Sequence, residues 1–287
     1  MKFNIVSKTA GVPVTRACKT LGVSRSGYYK HQKQSGDSKR QRENRRILKA
    51  ILEEFKVCRG RAGSPVITQR LRRRGILVNE KRVARLMRIN GLKALAARKF
   101  KRTTDSDHPH PPSPNLLKNM PLPREKNRVW VTDITYIGTP EGWLYLCVFI
   151  DLCTRKVVGW SIGERMQTEL VCQAFMMAVL RESPEPGLII HSDRGSQFAS
   201  KTFRKILGST IRQSMSAKGR CYDNAFAESF FHTLKVEWLY AGKIESREQA
   251  RRELFEYLEV YYNRKRLHSS IGYLTPVEME SKLKMAA

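Results

Sequence analysis

The sequence has no apolar run long enough to cross a membrane, because its longest, Trp143 to Ile150, has the length of a β-strand. Its first residues, Met-Lys-Phe-Asn, lack the apolar stretch of a signal peptide. The six cysteines form no Cys-x-x-Cys pair, so the pattern indicates neither a zinc knuckle nor a disulfide framework. We therefore expect a soluble protein of a reducing, cytoplasmic compartment, with no membrane partner.

Acidic residues are scarce in the first part of the chain. Residues 1–124 hold 31 Lys and Arg against 7 Asp and Glu, whereas residues 125–287 hold 23 against 19. Nearly all of the net charge of +28 therefore lies before residue 125. Such a field attracts polyanions, and binding then weakens steeply with salt. A basic surface that is merely solvated is the alternative, and a membrane surface is disfavoured because no long amphipathic helix carries exposed Trp or Phe.

A proline-rich stretch separates the two parts. Thr103 to Asn127 contains six of the twelve prolines, which predicts a semi-rigid linker over residues 103–126. His108 and His110 could be half of a metal site, but no Cys or carboxylate cluster accompanies them. A solvated linker is the better interpretation.

Two helix-turn-helix patterns precede the linker. In residues 1–38, Val14 to Leu21 reads as a helix stopped by Gly22, and Ser24 caps a second helix. In residues 39–102, Ser64 caps a helix with Pro65 at its first position, and Asn79 caps another from Glu80 to Ile89.

The last of these helices has an apolar stripe and basic faces, as a DNA-contacting helix requires. Its stripe consists of Val83, Leu86 and Met87. The basic residues that we expect to contact DNA are Lys81, Arg82, Arg85 and Arg88. A connecting helix from Arg40 to Phe55 is expected to turn inward Ile47, Ile51, Leu52 and Phe55.

After residue 127 the pattern changes to β-branched and aromatic strands alternating with helices. The order is three strands, helix, strand, helix, strand, helix, which predicts an α/β fold with a mixed sheet. The predicted strands are Val129–Ile137, Trp143–Leu152, Lys156–Ile162, Leu188–His191 and Ile211–Met215, and the two longer helices are Met166–Arg181 and Tyr222–Leu239.

Three carboxylates stand out of these elements: Asp133 within the first strand, Asp193 at the end of the fourth and Glu228 on the late helix. Carboxylates that converge repel one another unless a cation lies between them, and hard oxygen ligands suit Mg²⁺ or Mn²⁺. Two such ions can activate a water or hydroxyl and stabilise the leaving oxygen of a phosphodiester. Each acid alone is an ordinary carboxylate, as Asp151 and Asp223 are taken to be. Together, beside a basic DNA-binding region, they favour catalysis.

Long motifs then show a resemblance. The sequence resembles bacterial insertion-sequence transposases that share the retroviral-integrase catalytic core, specifically the second-frame (OrfB) product of the insertion-sequence-three family. The matching segments are Trp130–Tyr136 (WVTDITY), His191–Phe198 (HSDRGSQF), Ser216–Gly219 (SAKG), Tyr222–Phe231 (YDNAFAESFF) and Tyr262–Pro276 (YNRKRLHSSIGYLTP).

The resemblance implies a ribonuclease-H-like core over residues 127–240, a C-terminal helical extension over 241–287, and a metal-binding DDE triad of Asp133, Asp193 and Glu228. It implies hydrolysis at transposon ends, then attack of the freed 3′-hydroxyl on another strand, with Mg²⁺ as cofactor and Mn²⁺ as its substitute. Lys235 would contact DNA near the scissile phosphate. Further DNA contacts are expected within the matched segments, at Arg194, Gln197, Asn224, Arg266 and His268.

The expected partners are double-stranded DNA, as transposon ends and as target, and further copies of the chain. A bacterial, nucleoid-associated location follows. No heptad repeat precedes Pro13, so the upstream (OrfA) protein of the family is expected to act as a separate partner or fusion. The rivals are a non-catalytic DNA-binding regulator, a nuclease that cuts without joining, and an RNA-directed enzyme.

Overall fold

The computed structural model describes residues 2–9, 11–33, 38–95, 113–118, 120–216 and 224–286. The chain divides into two units, Met1–Ala94 and Leu95–Ala287. Within the described ranges, no helix is both long and apolar enough to cross a membrane. His108 and His110 lie outside the described residues, as do residues 103–112 and 119 of the proline-rich stretch.

The first unit is built from helices in its described residues. They are α1 (Lys2–Lys8), α2 (Val14–Thr20), α3 (Arg25–Lys33), α4 (Lys39–Val57), α5 (Ser64–Arg73) and α6 (Glu80–Ile89). Helices α1 to α3 bury Val6, Cys18 and Tyr28 in a small core. Helices α4 to α6 bury a second core, in which Ile67 and Leu71 of α5 are fully covered. Both predicted pairs, α2 with α3 and α5 with α6, are therefore helical hairpins.

Two of the three predicted N-caps of these hairpins are confirmed. Ser24 Oγ accepts a hydrogen bond from the Gly27 N–H at 3.0 Å, and the Asn79 side chain accepts one from the Lys81 N–H at 2.8 Å. The prediction for Ser64 is wrong by one residue. Gly63 is the N-cap, because its carbonyl accepts the first intrahelical bond, so Ser64 is already helical.

The inward face of α4 differs from the prediction at one position. Ile47 and Ile51 are buried as expected, but Leu52 is 45% exposed. One residue turns a helix by about 100°, so Leu52 is carried away from the face that holds Ile51. Glu54 lies on the buried face instead, where Arg70 Nε donates to its carboxylate at 2.6 Å.

The second unit has a five-stranded mixed sheet in the order β3-β2-β1-β4-β5. The strands are β1 (Val129–Thr139), β2 (Gly142–Asp151), β3 (Val157–Gly163), β4 (Ile189–Ser192) and β5 (Arg212–Met215). Strands β1 to β3 form an antiparallel meander, and β4 and β5 run parallel to β1. All five predicted strands are confirmed, each within two residues at either end.

Helices cover both faces of this sheet. They are α7 (Thr168–Glu182), α8 (Ser196–Ala199), α9 (Lys201–Leu207), α10 (Ala225–Leu234), α11 (Arg247–Phe255) and α12 (Pro276–Ala286). Helix α7 packs closely on β3, because a Cβ at Gly159 would lie 2.7 Å from the Cβ of Ala178. Phe230 and Leu234 of α10 pack on the opposite face. The mixed α/β fold predicted from the order of elements is confirmed.

Two helices of the second unit change their winding. Helix α10 continues as a π-helical turn over Lys235–Leu239, and α11 continues as one over Glu256–Tyr262. The predicted helix from Tyr222 to Leu239 therefore covers two kinds of winding, and its first two residues lie outside the described ones. Local π-turns of this kind are frequent at functional sites.

Candidate active site

The candidate site lies where β4 ends beside β1. Strand β4 pairs with β1 only at Val129 to Val131, so the following residues of β1 have no β4 neighbour on that edge. Asp133 is the second residue beyond the paired segment, and Asp193 follows Ser192, the last residue of β4. The parallel pairing of these two strands therefore brings both carboxylates to one end of the sheet.

Local hydrogen bonds fix both aspartates. Asp133 Oδ1 accepts from the N–H of Ile134 at 2.7 Å, and Asp193 Oδ1 accepts from the N–H of Gly195 at 2.9 Å. A Cβ at Gly195 would lie 3.1 Å from that same Asp193 oxygen, so a glycine leaves the carboxylate room. Each side chain is half-buried and held by the backbone that follows it.

The three predicted carboxylates act on one another electrostatically. Burial raises the pKa of Asp133 well above its ordinary value, and the charges of Asp193 and Glu228 raise it further. The bond from Ile134 and the charge of Lys235 oppose that rise in pKa. Asp133 is thus a carboxylate whose ionised form is disfavoured by its surroundings and would be favoured by an added cation.

Glu228 lies in the first turn of α10, and its side chain is exposed. Among the described residues, no three acidic, histidine or cysteine side chains come close enough together to hold a metal ion. The structure therefore brings Glu228 within electrostatic range of Asp133 without gathering the three carboxylates into one ligand cluster. Their donor chemistry, hard oxygens at a half-buried site, fits a magnesium-type ion.

Two residues that sequence reasoning did not assign to this role fix the start of α10. Asn224, the residue before the helix, is 3% exposed, and its Nδ2 donates to the carbonyl of Thr132 at 3.4 Å. The Arg155 guanidinium lies 4.1 Å from the ring centroid of Phe226, two residues before Glu228. Asn224 is buried against β1 and positions the helix, and its contact with DNA stays a prediction.

Arg155 is presented by a tight turn between β2 and β3. Asp151 anchors that turn by accepting from the N–H of Asn127 at 2.8 Å and from both the N–H and the hydroxyl of Thr154 at 2.7 Å. Arg155 has φ +65° and is 9% exposed, and its Nε and Nη1 have no hydrogen-bond partner in the part of the chain described. Asp151 is thus a structural residue. Arg155 supports the start of α10, because its guanidinium lies over the ring of Phe226.

Lys235 extends the site along the open edge of β1. Its Nζ lies 5.1 Å from the ring centroid of Tyr136, and burial lowers the pKa of this lysine, against the opposing effects of Tyr136 and Asp133. The ammonium group therefore lies close to Tyr136, which is on the same strand as Asp133, and interacts electrostatically with Asp133.

The remaining predicted contacts near the triad bond within the chain. Arg194 Nε donates to the carbonyl of Ser216 at 2.9 Å, which ties the loop after β4 to the end of β5. Gln197 Nε2 donates to the carbonyl of Met166 at 3.2 Å. Both side chains hold loops around Asp193, and their contact with DNA stays a prediction.

Arg266 and His268 have partners and neighbours inside the fold, and their contact with DNA stays a prediction. The Arg266 guanidinium forms a fork on the Glu237 carboxylate, with N–O distances of 2.9 to 3.1 Å. His268 is 8% exposed, and burial beside the charges of Arg266 and Arg155 lowers the pKa of His268 to about 3. These two residues of the tail motif therefore have structural roles inside the fold, whereas Arg264 and Lys265 of the same motif are exposed.

The basic helix of the first unit presents its four cationic residues differently. Lys81 and Arg88 are exposed, and Arg85 is half-buried. Arg82 is bound to α4, with Nε donating to Asn44 at 2.9 Å and Nη2 to Glu43 at 2.9 Å. Lys81 and Arg88 are the residues freest to meet a phosphate backbone, whereas Arg82 holds the helical hairpin together.

We expect Asp133→Asn to raise the thermal stability of the metal-free protein. The change removes a disfavoured ionised group and its repulsion with Asp193 and Glu228, whereas an amide oxygen can still accept from Ile134. Differential scanning calorimetry in EDTA measures the effect, with about 2–4 °C expected for each kcal/mol. Asp151→Asn is the matched control and should do the opposite, because that carboxylate accepts three bonds. A Tm of Asp133→Asn below wild type would contradict the electrostatic account.

Comparison with known proteins now adds to the geometry. Residues 123–221 and 209–276 match two families that are both described as Integrase core domain, and residues 41–100 match the HTH-like domain. Over 285 residues the chain is 41% identical to "Transposase InsF for insertion sequence IS3A" of Escherichia coli (strain K12), covering 98% of this chain and 99% of that protein. The chain belongs to the IS3 family of transposases. It is therefore a DDE-type polynucleotidyl transferase that acts in DNA transposition and integration.

Two further similarities accompany that match. The transposase is 42% identical over 270 residues to "Insertion element IS600 uncharacterized 31 kDa protein" of Shigella sonnei, covering 92% of this chain and 97% of that one. Among solved structures, the catalytic core domain of BIV integrase covers 56% of this chain and 97% of its own, with 18% identity and a TM-score of 0.42. The first is a full-length relative, and the second is too distant to carry an argument.

Proposed function

We propose that Asp133, Asp193 and Glu228 are the catalytic residues of this transposase and hold one or two divalent metal ions, Mg²⁺ with Mn²⁺ as a substitute. The observations that support this are that the pairing of β4 with β1 brings Asp133 and Asp193 to one end of the sheet, and that the charges of Asp193 and Glu228 both raise the pKa of Asp133. Carboxylates kept in such proximity destabilise one another unless a cation joins them. Binding an ion requires Glu228, which is exposed in this structure, to approach the two aspartates.

The reaction has two steps in this proposal. A water molecule first hydrolyses the phosphodiester at the end of the insertion sequence, and the freed 3′-hydroxyl then attacks a phosphodiester of the target DNA. Bound metal ions would supply activation of the attacking oxygen and stabilisation of the leaving oxygen. The chain contributes the ligands, and Lys235 contributes a cation at the scissile phosphate. The backbone bonds from Ile134 and Gly195 keep the two aspartates oriented.

DNA recognition falls mainly to the basic part of the chain. The domain organisation that we propose is a helix-turn-helix segment over residues 1–38, a basic helical DNA-binding domain over 39–102, a linker over 103–126, the catalytic core over 127–240 and a helical extension over 241–287. Two ends must be joined for transposition, so the protein acts as a multimer on DNA. It works on the bacterial nucleoid in the cytoplasm, with an upstream-frame (OrfA) protein as partner or fusion.

The experiment that tests this function uses a labelled, pre-nicked duplex that ends in the element's terminal repeat, incubated with Mg²⁺, Mn²⁺ or EDTA. Cleaved and joined strands are resolved separately. Joining in either metal, and none in EDTA, is the expected result, whereas cutting without joining would favour a nuclease. The thermal midpoint is measured in parallel, because an ion that binds the folded state raises it. A Tm that Mg²⁺ and Mn²⁺ leave unchanged would count against the metal site.

We expect Lys81→Ala and Arg88→Ala each to weaken DNA binding about equally for all sequences. Both side chains are exposed on α6, so each would neutralise a phosphate without reading a base. The slope of log affinity against log salt should fall by about one for each change. Lys282→Ala, an exposed lysine of α12, is the control and should leave the slope unchanged. A double variant with the wild-type slope would show that α6 does not contact the backbone.

A further inference from the structure

An exposed aromatic pair lies beside the catalytic carboxylates and has no role in the chemistry proposed above. Tyr136 on β1 and Trp143 on β2 are in edge-to-face contact, with ring centroids 5.2 Å apart and an interplanar angle of 87°. Tyr136 is 39% exposed and Trp143 is 53% exposed. Burial of large rings normally contributes to stability, so two such rings left this open at one place call for a ligand.

The backbone beneath the pair supports the tryptophan ring. Gly138 is the cross-strand partner of Trp143, and a Cβ at Gly138 would lie 3.4 Å from a carbon of the indole ring. The indole therefore lies against bare strand backbone and the edge of Tyr136. Any partner must meet the ring from its solvent side.

The pair is joined to the active site by Lys235. Its ammonium lies 5.1 Å from the Tyr136 ring centroid, and its charge is also felt by Asp133. Tyr136 follows Asp133 by three residues, a distance of about 10 Å along a strand. Gly138, which lies under the Trp143 ring, is two residues further on, so at a rise of 3.4 Å for each nucleotide about three to five nucleotides separate a phosphate at Asp133 from a base at the aromatic pair.

Aromatic side chains next to a cation are the elements with which proteins hold unpaired bases. We propose that Trp143, supported by Tyr136, stacks an unpaired nucleobase of the DNA end, within about five nucleotides of the scissile phosphate. This inference rests on the proposed function, because it takes the scissile phosphate to lie at Asp133. Stacking would hold the frayed end open and so present the scissile phosphate to the triad. Without it, a fully paired end would have to be unstacked before cleavage.

A cross-strand pair that only stabilises the β1–β2 hairpin is the competing interpretation. The second unit contains another exposed aromatic pair, which joins helix α11 to strand β3. Phe255 is 52% exposed and makes an edge-to-face contact with Trp160, with centroids 6.1 Å apart. Phe255→Ala is therefore a control that removes an equally exposed, equally paired ring.

The test measures the affinity of the full-length protein for terminal-repeat duplexes in EDTA, where no chemistry proceeds. Each of about five nucleotides next to the scissile phosphate is replaced in turn by an abasic nucleotide. At one position the wild-type protein should bind about 5- to 150-fold more weakly than it binds the intact duplex. Trp143→Ala should bind the two duplexes equally, and Phe255→Ala should behave as wild type.

A fluorescent base gives a second readout at the same position. With 2-aminopurine there, stacking on Trp143 should quench its emission on binding, and Trp143→Phe should quench it less. If Trp143→Ala does not fold, as judged by thermal unfolding, Trp143→Phe and the abasic series on the wild-type protein decide the question. Equal binding of all abasic duplexes by wild type, or an undiminished loss in the folded Trp143 variants, would overturn the stacking inference.

The two proposals fail in different ways. Cleavage in Mg²⁺ is measured on the same duplexes. Normal metal-dependent joining with no effect of base removal overturns the stacking site alone. Absence of any metal-dependent chemistry in the wild-type protein counts against the proposed function, whereas the binding comparison in EDTA still decides whether Trp143 stacks a base.

Discussion

Glu228→Gln is expected to abolish cleavage and strand transfer by the transposase, by about 10³-fold or more, while the fold and the affinity for DNA stay unchanged. The substitution keeps the size of the side chain and removes the charge that a metal ion requires. Glu228 is exposed in the first turn of α10, and among the described residues its carboxylate forms no hydrogen bond or ion pair. We therefore expect the substitution to lower the rates of cleavage and strand transfer and to leave DNA binding unchanged. The measurement is single-turnover cleavage and joining of the pre-nicked duplex in Mg²⁺.

The chain offers a closely matched control for this change. Glu248 is an exposed glutamate in the first turn of α11, so Glu248→Gln makes the same chemical change at the same position of another helix of the unit. It should leave cleavage, joining and thermal stability at wild-type values. If Glu228→Gln cut DNA at the wild-type rate, the third ligand would have to be another residue. If its DNA affinity fell together with its activity, Glu228 would act in binding.

The sheet could be predicted from the sequence because its strands carry a strong local signal. Segments such as Val129–Ile137 are rich in β-branched and aromatic residues, and the order of strands and helices restricts the topology to a meander joined to βα units. The π-turn at Lys235–Leu239 could not be predicted in this way. Its hydrogen bonds enclose one residue more than those of an α-helix. Packing, not composition, decides where that residue is inserted.

The candidate triad stands out in the sequence mainly because of Asp133, whose residue type conflicts with its position. An aspartate inside a strand, as at Asp133, is unusual, and the ends of neighbouring strands converge. The supports of the site carry no such signal. Asn224 bonds to Thr132, and Arg155 lies over the ring of Phe226. The two residues of each pair are far apart in sequence, so only the folded chain shows these contacts.

The C-terminal motif is a second place where the sequence carries no signal for a structural contact. A run that contains Arg264, Lys265 and Arg266 reads as a basic surface, and sequence alone does not tell which cation turns inward. The structure exposes Arg264 and directs Arg266 to Glu237, a residue near the end of the π-turn after α10. Charge counts locate a DNA-binding region over a hundred residues well. They do not predict the environment of one cationic side chain, because a buried carboxylate elsewhere in the chain can form an ion pair with it.

Arg266→Ala should therefore lower the stability of the transposase and leave its intrinsic affinity for DNA unchanged. Removing the guanidinium would leave the Glu237 carboxylate, which is 8% exposed and accepts the hydroxyl of Tyr257 at 2.9 Å, without its arginine partner. Breaking a buried pair from one side costs about 3–5 kcal/mol. Chemical denaturation monitored by the buried tryptophans measures the loss, and DNA binding is measured at a temperature at which the variant is folded.

Two comparisons separate this structural role from DNA contact. Arg264→Ala removes an exposed cation two residues away and should leave the free energy of unfolding unchanged. Adding Glu237→Gln to Arg266→Ala should restore part of the lost stability, because it removes the carboxylate charge that has lost its arginine partner. The coupling energy between the two substitutions measures the interaction free energy of the ion pair. A lower DNA affinity and a shallower salt slope in Arg266→Ala, with normal stability, would instead return Arg266 to the DNA-binding surface. The direction of the second substitution is decisive, since a phosphate contact would gain nothing from the loss of Glu237.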